Sequence, residues 1–139
     1  MHKTYHGSCH CGAVRFEADF DLARATNKCN CSICSKSRTW FAIAPGNGLR
    51  VRQGQDALTE YRWTPPGKPE PFLHFFFCKT CGVRTWASGD HPQLGGLFHA
   101  VSVAALDDVD ADELAAAPVN YVDGRNDRFD QVPADVRLL

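Results

Sequence analysis

A chain of 139 residues with 44% hydrophobic and 22% charged positions can bury one core, and it is too short for a multidomain machine. Its 15 Lys and Arg against 16 Asp and Glu leave a net charge of -1, without the basic surplus that draws proteins onto phosphate backbones or anionic membranes. Nucleic acid and membrane are therefore not expected partners, and no apolar run approaches the roughly 20 residues needed to cross a bilayer.

The first residues, Met1 to Gly7, hold no apolar segment that would read as a secretory signal, so a cytoplasmic location is expected. In such a reducing compartment seven cysteines point to metal binding or catalysis rather than disulfides, and here they fall in three tight groups. The first, Cys9-His10-Cys11, precedes Val14, Phe16 and Ala18, which alternate with Arg15 and Glu17 as a half-buried strand does. The second is Cys29-Asn30-Cys31-Ser32-Ile33-Cys34. After it, residues 40–44, 49–52, 58–63, 72–77, 84–87 and 97–103 are aromatic or β-branched and bounded by Gly, Pro or Asn, which predicts strands. Residues 64–71 contain four prolines, cannot donate a regular ladder and are expected to form a surface loop. The third group, Cys78-Lys79-Thr80-Cys81, follows the strand at 72–77.

Asp110 as a cap, Glu113 reaching back to it and good helix formers up to Ala117 before Pro118 predict one short C-terminal helix. The acidic run Asp108, Asp110, Asp112 does not make a calcium loop, because Glu113 stands where glycine is needed and Val119 where a bidentate Glu is needed. With no internal repeat, residues 1–139 are expected to be a single, mainly β domain.

In an extended strand the thiolates of C-x-C point to one face, and C-x-x-C converges around a tight turn, so each group is a chelating half-site. Gly12 and Gly82 follow Cys11 and Cys81, where the chain must bend around an ion. Joined, Cys9, Cys11, Cys78 and Cys81 would make a closed, structural four-thiolate zinc site. Cys29, Cys31 and Cys34 then remain as three ligands with an open position, the pattern of a zinc that does chemistry. Three thiolates weaken the Lewis acidity of the ion, so a soft thiol suits the open position better than an activated water. His74 or His99 would be the residues to close this second site, but each lies in an apolar run where a satisfied core histidine is the commoner outcome. Strand alternation turns His10 away from its neighbours' metal. A redox pair at Cys78 and Cys81 is the competing reading of the third group.

The motifs Gly7-Ser8-Cys9-His10-Cys11-Gly12-Ala13-Val14-Arg15-Phe16, Cys29-Asn30-Cys31-Ser32-Ile33-Cys34 and Phe77-Cys78-Lys79-Thr80-Cys81-Gly82 resemble the glutathione-dependent formaldehyde-activating enzyme family, which includes centromere protein V. The resemblance extends to Tyr121-Val122-Asp123-Gly124-Arg125. It implies several coiled antiparallel β-sheets around zinc-cysteine sites, similar to methionine sulfoxide reductase B. It also implies a structural zinc on Cys9, Cys11, Cys78 and Cys81 and a catalytic zinc on Cys29, Cys31 and Cys34. The implied activity is that of a carbon–sulfur lyase, the reversible condensation of a small aldehyde, formaldehyde or similar, with glutathione or a related thiol. Glutathione carries two carboxylates, and Lys36 and Arg38 are the nearest cations to Cys34 in sequence, with Arg84, Arg125 and Arg128 as further candidates. Trp40 and Phe41 are candidate pocket walls. A zinc-stabilised binding module with two structural metals is the alternative from another class.

Overall fold

The computed structural model describes residues 2–139. Among these, ten strands form two sheets: a three-stranded sheet ordered β1-β2-β5 and a seven-stranded sheet ordered β10-β3-β4-β9-β8-β7-β6.

The small sheet is β1 (Lys3–Ser8), β2 (Arg15–Phe20) and β5 (Leu49–Gln53), all antiparallel. Alternation buries Phe16, Ala18 and Phe20 of β2 on one face. β1 carries a weaker signal, since only Tyr5 and Gly7 point inward. Tyr5 stacks on Phe20 with ring centroids 4.6 Å apart, and Gly7 lies directly on the Phe16 ring, where a Cβ would stand 2.8 Å from Cε1. Burial against β2, rather than its own composition, makes β1 a strand.

The large sheet contains β3 (Thr26–Cys29), β4 (Phe41–Pro45), β6 (Leu58–Trp63), β7 (Leu73–Cys78), β8 (Arg84–His91), β9 (Gly96–Ser102) and β10 (Val119–Val122). The period-two pattern works out residue by residue. Ala42, Val101, Trp86 and Phe76 form one cross-strand row, and Ile43, Ala100, Ala87, Phe75 and Tyr61 form the next row on the opposite face. The first row belongs to the core shared with the small sheet, where Phe16 meets Trp86 edge-on at 5.3 Å. The second belongs to a separate cluster of Phe41, Phe75, Ala87, Phe98 and Ala100 that packs against Cys34.

Three features depart from the sequence-based expectation. The sheets are antiparallel except at the edge, where β10 runs parallel to β3 from Val119↔Thr26 to Val122↔Cys29. The polar stretch forming β3 is held by Thr26, fully buried, whose hydroxyl donates to the Pro118 carbonyl at 2.8 Å and accepts from Trp40 Nε1 at 2.7 Å. The expected C-terminal helix is present as α2 (Ala111–Ala116), but a second helix, α1 (Ser32–Ser37), precedes it and carries Cys34 in its first turn. Asp110 caps α2 as expected, accepting from the N–H groups of Asp112 at 2.8 Å and Glu113 at 3.3 Å. Glu113 does not reach back; its carboxylate takes the Tyr5 hydroxyl and Lys3 Nζ instead, tying α2 to β1. No helix among the described residues is long and apolar enough to cross a membrane.

Candidate metal centres

The first centre is built from two turns of similar construction. Cys9 and Cys11 sit where β1 turns into β2, with the Cys9 N–H donating to the Val14 carbonyl at 3.1 Å and Gly12 at φ 81°. Cys78 and Cys81 sit where β7 turns into β8, with the Cys78 N–H donating to the Val83 carbonyl at 3.1 Å and Gly82 at φ 73°. Both glycines occupy the left-handed region that a side chain resists. The four sulfur atoms lie within 4.8 Å of one another, Cys9 to Cys11 at 3.6 Å and Cys11 to Cys78 at 3.7 Å. A tetrahedral zinc with sulfur at about 2.3 Å separates its ligands by about 3.8 Å, so the spacing fits such an ion. All seven cysteines are free thiols, which leaves Cys78 and Cys81 unbonded to each other. Backbone N–H groups of Cys11 and Val83 pull the Cys81 thiol down to about 6.

The second centre gathers Cys29 from the end of β3, Cys31 as the N-cap of α1 and Cys34 from its first turn, their sulfurs also within 4.8 Å. The helix explains the convergence: Cys31 Sγ accepts the Cys34 N–H at 3.5 Å in the manner of a capping side chain, and Cys29 Sγ accepts the Cys31 N–H at 3.4 Å. Hydrogen bonds from the Cys31 and Cys34 thiols, with backbone N–H groups of Cys31 and Gly124, pull the Cys29 thiol down to about 3. Cys34 is pushed strongly upward by sharing its hydrogen bonds with Cys29 and Cys31 and by burial. Three thiols so close together favour one thiolate and resist a second unless a cation neutralises them, which is the electrostatic signature of a metal cluster.

Among the described residues no His, Asp or Glu joins these three sulfurs. His74 Nδ1 is engaged by Glu60 at 2.5 Å, and His99 lies between the Ser88 hydroxyl at 2.7 Å and the Gly46 carbonyl at 3.1 Å. Neither histidine closes the second centre, and His10 joins neither cluster. Instead Cys29 and Cys34 face a cavity of about 290 Å³ lined also by Lys28, Arg38, Thr39 and Leu139.

Of the expected cations, Arg38 lines this cavity. It ends α1 at φ 53°, a left-handed turn that swings its side chain back, and its guanidinium donates to the Leu138 carbonyl. Lys36 does not line the cavity; it lies exposed in the last turn of α1. Arg84 lies over the Phe75 ring at 5.1 Å, and Arg125 bonds the backbone of Asn30, so neither lines it, nor does Arg128. Trp40 and Phe41 are not walls either: Phe41 packs beneath Cys34, and Trp40 turns to Thr26. Sequence reasoning missed Lys28, whose ammonium stands 5.1 Å from the Trp40 ring and which precedes Cys29 rather than following Cys34. A search for cations on both sides of the cysteine group would have found it.

The family model described as "Glutathione-dependent formaldehyde-activating enzyme" matches residues 4–122, which include all seven cysteines. A curated relative from Halomonas elongata, named "Putative glutathione-dependent formaldehyde-activating enzyme", is 43% identical over 53 residues. That match spans 38% of this chain and only 30% of the length of the relative. The crystal structure of a Rhodobacter sphaeroides protein, 29% identical, superposes with a TM-score of 0.64 over 83% of this chain and 99% of its own.

Proposed function

This chain belongs to the glutathione-dependent formaldehyde-activating enzyme family, and from that premise we propose that it is a zinc-dependent carbon–sulfur lyase that reversibly joins a small aldehyde to glutathione or a related acidic thiol. The observation that carries the reading is the trio Cys29, Cys31 and Cys34, without a fourth protein ligand among the described residues, facing a cavity flanked by Lys28 and Arg38. In this reading Cys9, Cys11, Cys78 and Cys81 hold a structural zinc, and Cys29, Cys31 and Cys34 hold the catalytic one. The open-sided zinc, when bound, supplies a soft electrophilic site that keeps an incoming thiol deprotonated at neutral pH.

The remaining work falls to the chain. Arg38 presents a fixed fork of donors suited to a carboxylate, and Lys28 adds a second positive charge on the same cavity. Together they would orient a thiol that carries acidic groups. The cavity, near the lower end of the roughly 300–1,000 Å³ typical of small-ligand sites, leaves little room for water beside a bound thiol. In the forward direction the thiol loses its proton to solvent, a carbon–sulfur bond forms at the aldehyde carbon, and the carbonyl oxygen takes up a proton to become a hydroxyl. The reverse sequence is the lyase reaction.

Cys31→Ala tests the proposal. Turnover of an S-hydroxymethyl thiol should fall at least a hundredfold, while the fold and the first metal equivalent remain. Equal loss of folding and of both metals would instead make the second centre structural and favour a zinc-stabilised binding module.

A further inference from the structure

The segment after β10 lies against the three-cysteine cluster and has no part in the chemistry above. Its parallel pairing with β3 ends at Val122↔Cys29, which delivers residues 123–126 beside Cys29 and Asn30. Asn30 fastens the two stretches: its Nδ2 donates to Asp123 Oδ1 at 2.8 Å, its Oδ1 accepts the Arg125 N–H at 2.9 Å, and its carbonyl accepts Arg125 Nε at 3.0 Å. Asp123 is buried and also accepts from Asn126 Nδ2 at 2.9 Å. These contacts press Gly124 onto Cys29.

Gly12 and Gly82 are required by their left-handed backbone, but Gly124 is not among the glycines with positive φ. Its backbone would accept any residue; the neighbouring space would not. A Cβ on residue 124 would fall on Cys29 Sγ, well inside the 3.0 Å that real Cβ atoms keep, and would stand 3.4 Å from both Cys31 Cβ and Phe129 Cε1.

We infer that Gly124 is a positioning residue for Cys29: its missing side chain lets the segment fastened by Asn30 close on that sulfur and hold it in register with Cys31 and Cys34. This rests on reading the three cysteines as a metal centre. The Cys29 sulfur is the free end of a single rotor, so a methyl group at position 124 is relieved most cheaply by turning Cys29 to another rotamer. The fold survives that turn, and the cluster is left with two ligands. Residue 124 lies just beyond the stretch 4–122 matched by the family model, within the Tyr121 to Arg125 segment that shares in the resemblance.

Cobalt(II) titration of the metal-free protein, followed by thiolate-to-cobalt charge-transfer absorption, tests it without reference to turnover. The wild type should take up two equivalents and Cys34→Ala one, whereas a wild type taking up only one would overturn the metal-centre reading itself. Gly124→Ala should keep the first equivalent and a wild-type melting temperature while binding the second about 10–100-fold more weakly, the range found for residues that orient metal ligands. Two equivalents of unchanged affinity and spectrum in Gly124→Ala would refute the inference while leaving the centre standing. If that variant binds neither equivalent, Asn30→Ala decides, because it releases the clamp without filling the space beside the sulfur. The second equivalent should then weaken alone, and an unchanged one would refute the inference.

Discussion

Removing Cys78 and Cys81 together should cost this protein much of its stability, and the size of the loss follows from where the first centre sits. A metal held by Cys9, Cys11, Cys78 and Cys81 closes a loop of about 70 residues between a turn of the small sheet and a turn of the large one. Treated as a cross-link, closing such a loop restricts the unfolded chain by about 4 kcal/mol. For 139 residues unfolding with about 2.1 cal/mol/K each, that corresponds to a fall in melting temperature of about 15 °C. Metal–ligand bonding beyond the loop term would enlarge it. Thermal melts of Cys78→Ala/Cys81→Ala by circular dichroism, with zinc content measured on the same samples, would check the figure. The control is Cys29→Ala/Cys34→Ala, whose ligands are close in sequence and close only a short loop. A double variant of the first centre that melts within about 5 °C of the wild type would refute the structural role of that centre.

Three further outcomes are expected. Arg38→Ala and Lys28→Ala should each raise KM for an acidic thiol about 10–100-fold with a smaller change in kcat, as loss of a charge-assisted hydrogen bond predicts, whereas Lys36→Ala should change neither. On the outer face of the small sheet Glu17 bonds Arg52 at 2.7 Å and Arg50 at 3.2 Å, and these guanidinium groups hold its carboxyl down at about 2 against an ordinary 4.5. The melting-temperature difference between wild type and Glu17→Gln should therefore be fully present above pH 4.5 and vanish as the pH falls through about 2; a difference that grows on acidification would contradict the pairing. Gly7→Ala should lower the melting temperature by about 3–10 °C, since overpacking costs about 1–3 kcal/mol, and should change tryptophan fluorescence because the displaced Phe16 ring lies against Trp86.

The cysteine spacing makes both centres legible in the sequence, because C-x-C and C-x-x-C dictate local convergence wherever they occur. The strands rich in aromatic and β-branched residues, such as β6 and β7, are legible for a similar reason: their pattern is their own. β1, β3 and β10 are not, since Gly7 becomes strand only by burial against Phe16 of β2, and Thr26 and the short run at Val119 only through each other, far apart in sequence. The helix α1 reads as a tight turn in the sequence, for its six residues carry no amphipathic stripe; a cysteine cap and the packing of Cys34 sustain it. The cations around the second centre are half legible. Nearness to Cys34 finds Arg38, but it passes over Lys28 and selects Lys36, whose place on α1 turns it to solvent.

The parallel pairing of β10 with β3 sets an order of events during synthesis. The four cysteines of the first centre have all been made once residue 81 emerges, so that centre can close before residues 82–139 are made. The second has its three cysteines by residue 34, yet the strand and the glycine that abut Cys29 come from residues 119–124. Pairings across such a span form late, after the loop between them has been closed. A nascent chain should therefore mature its centres in the reverse of the order in which their last cysteines appear, with the second centre assembled only on a body already folded around the first.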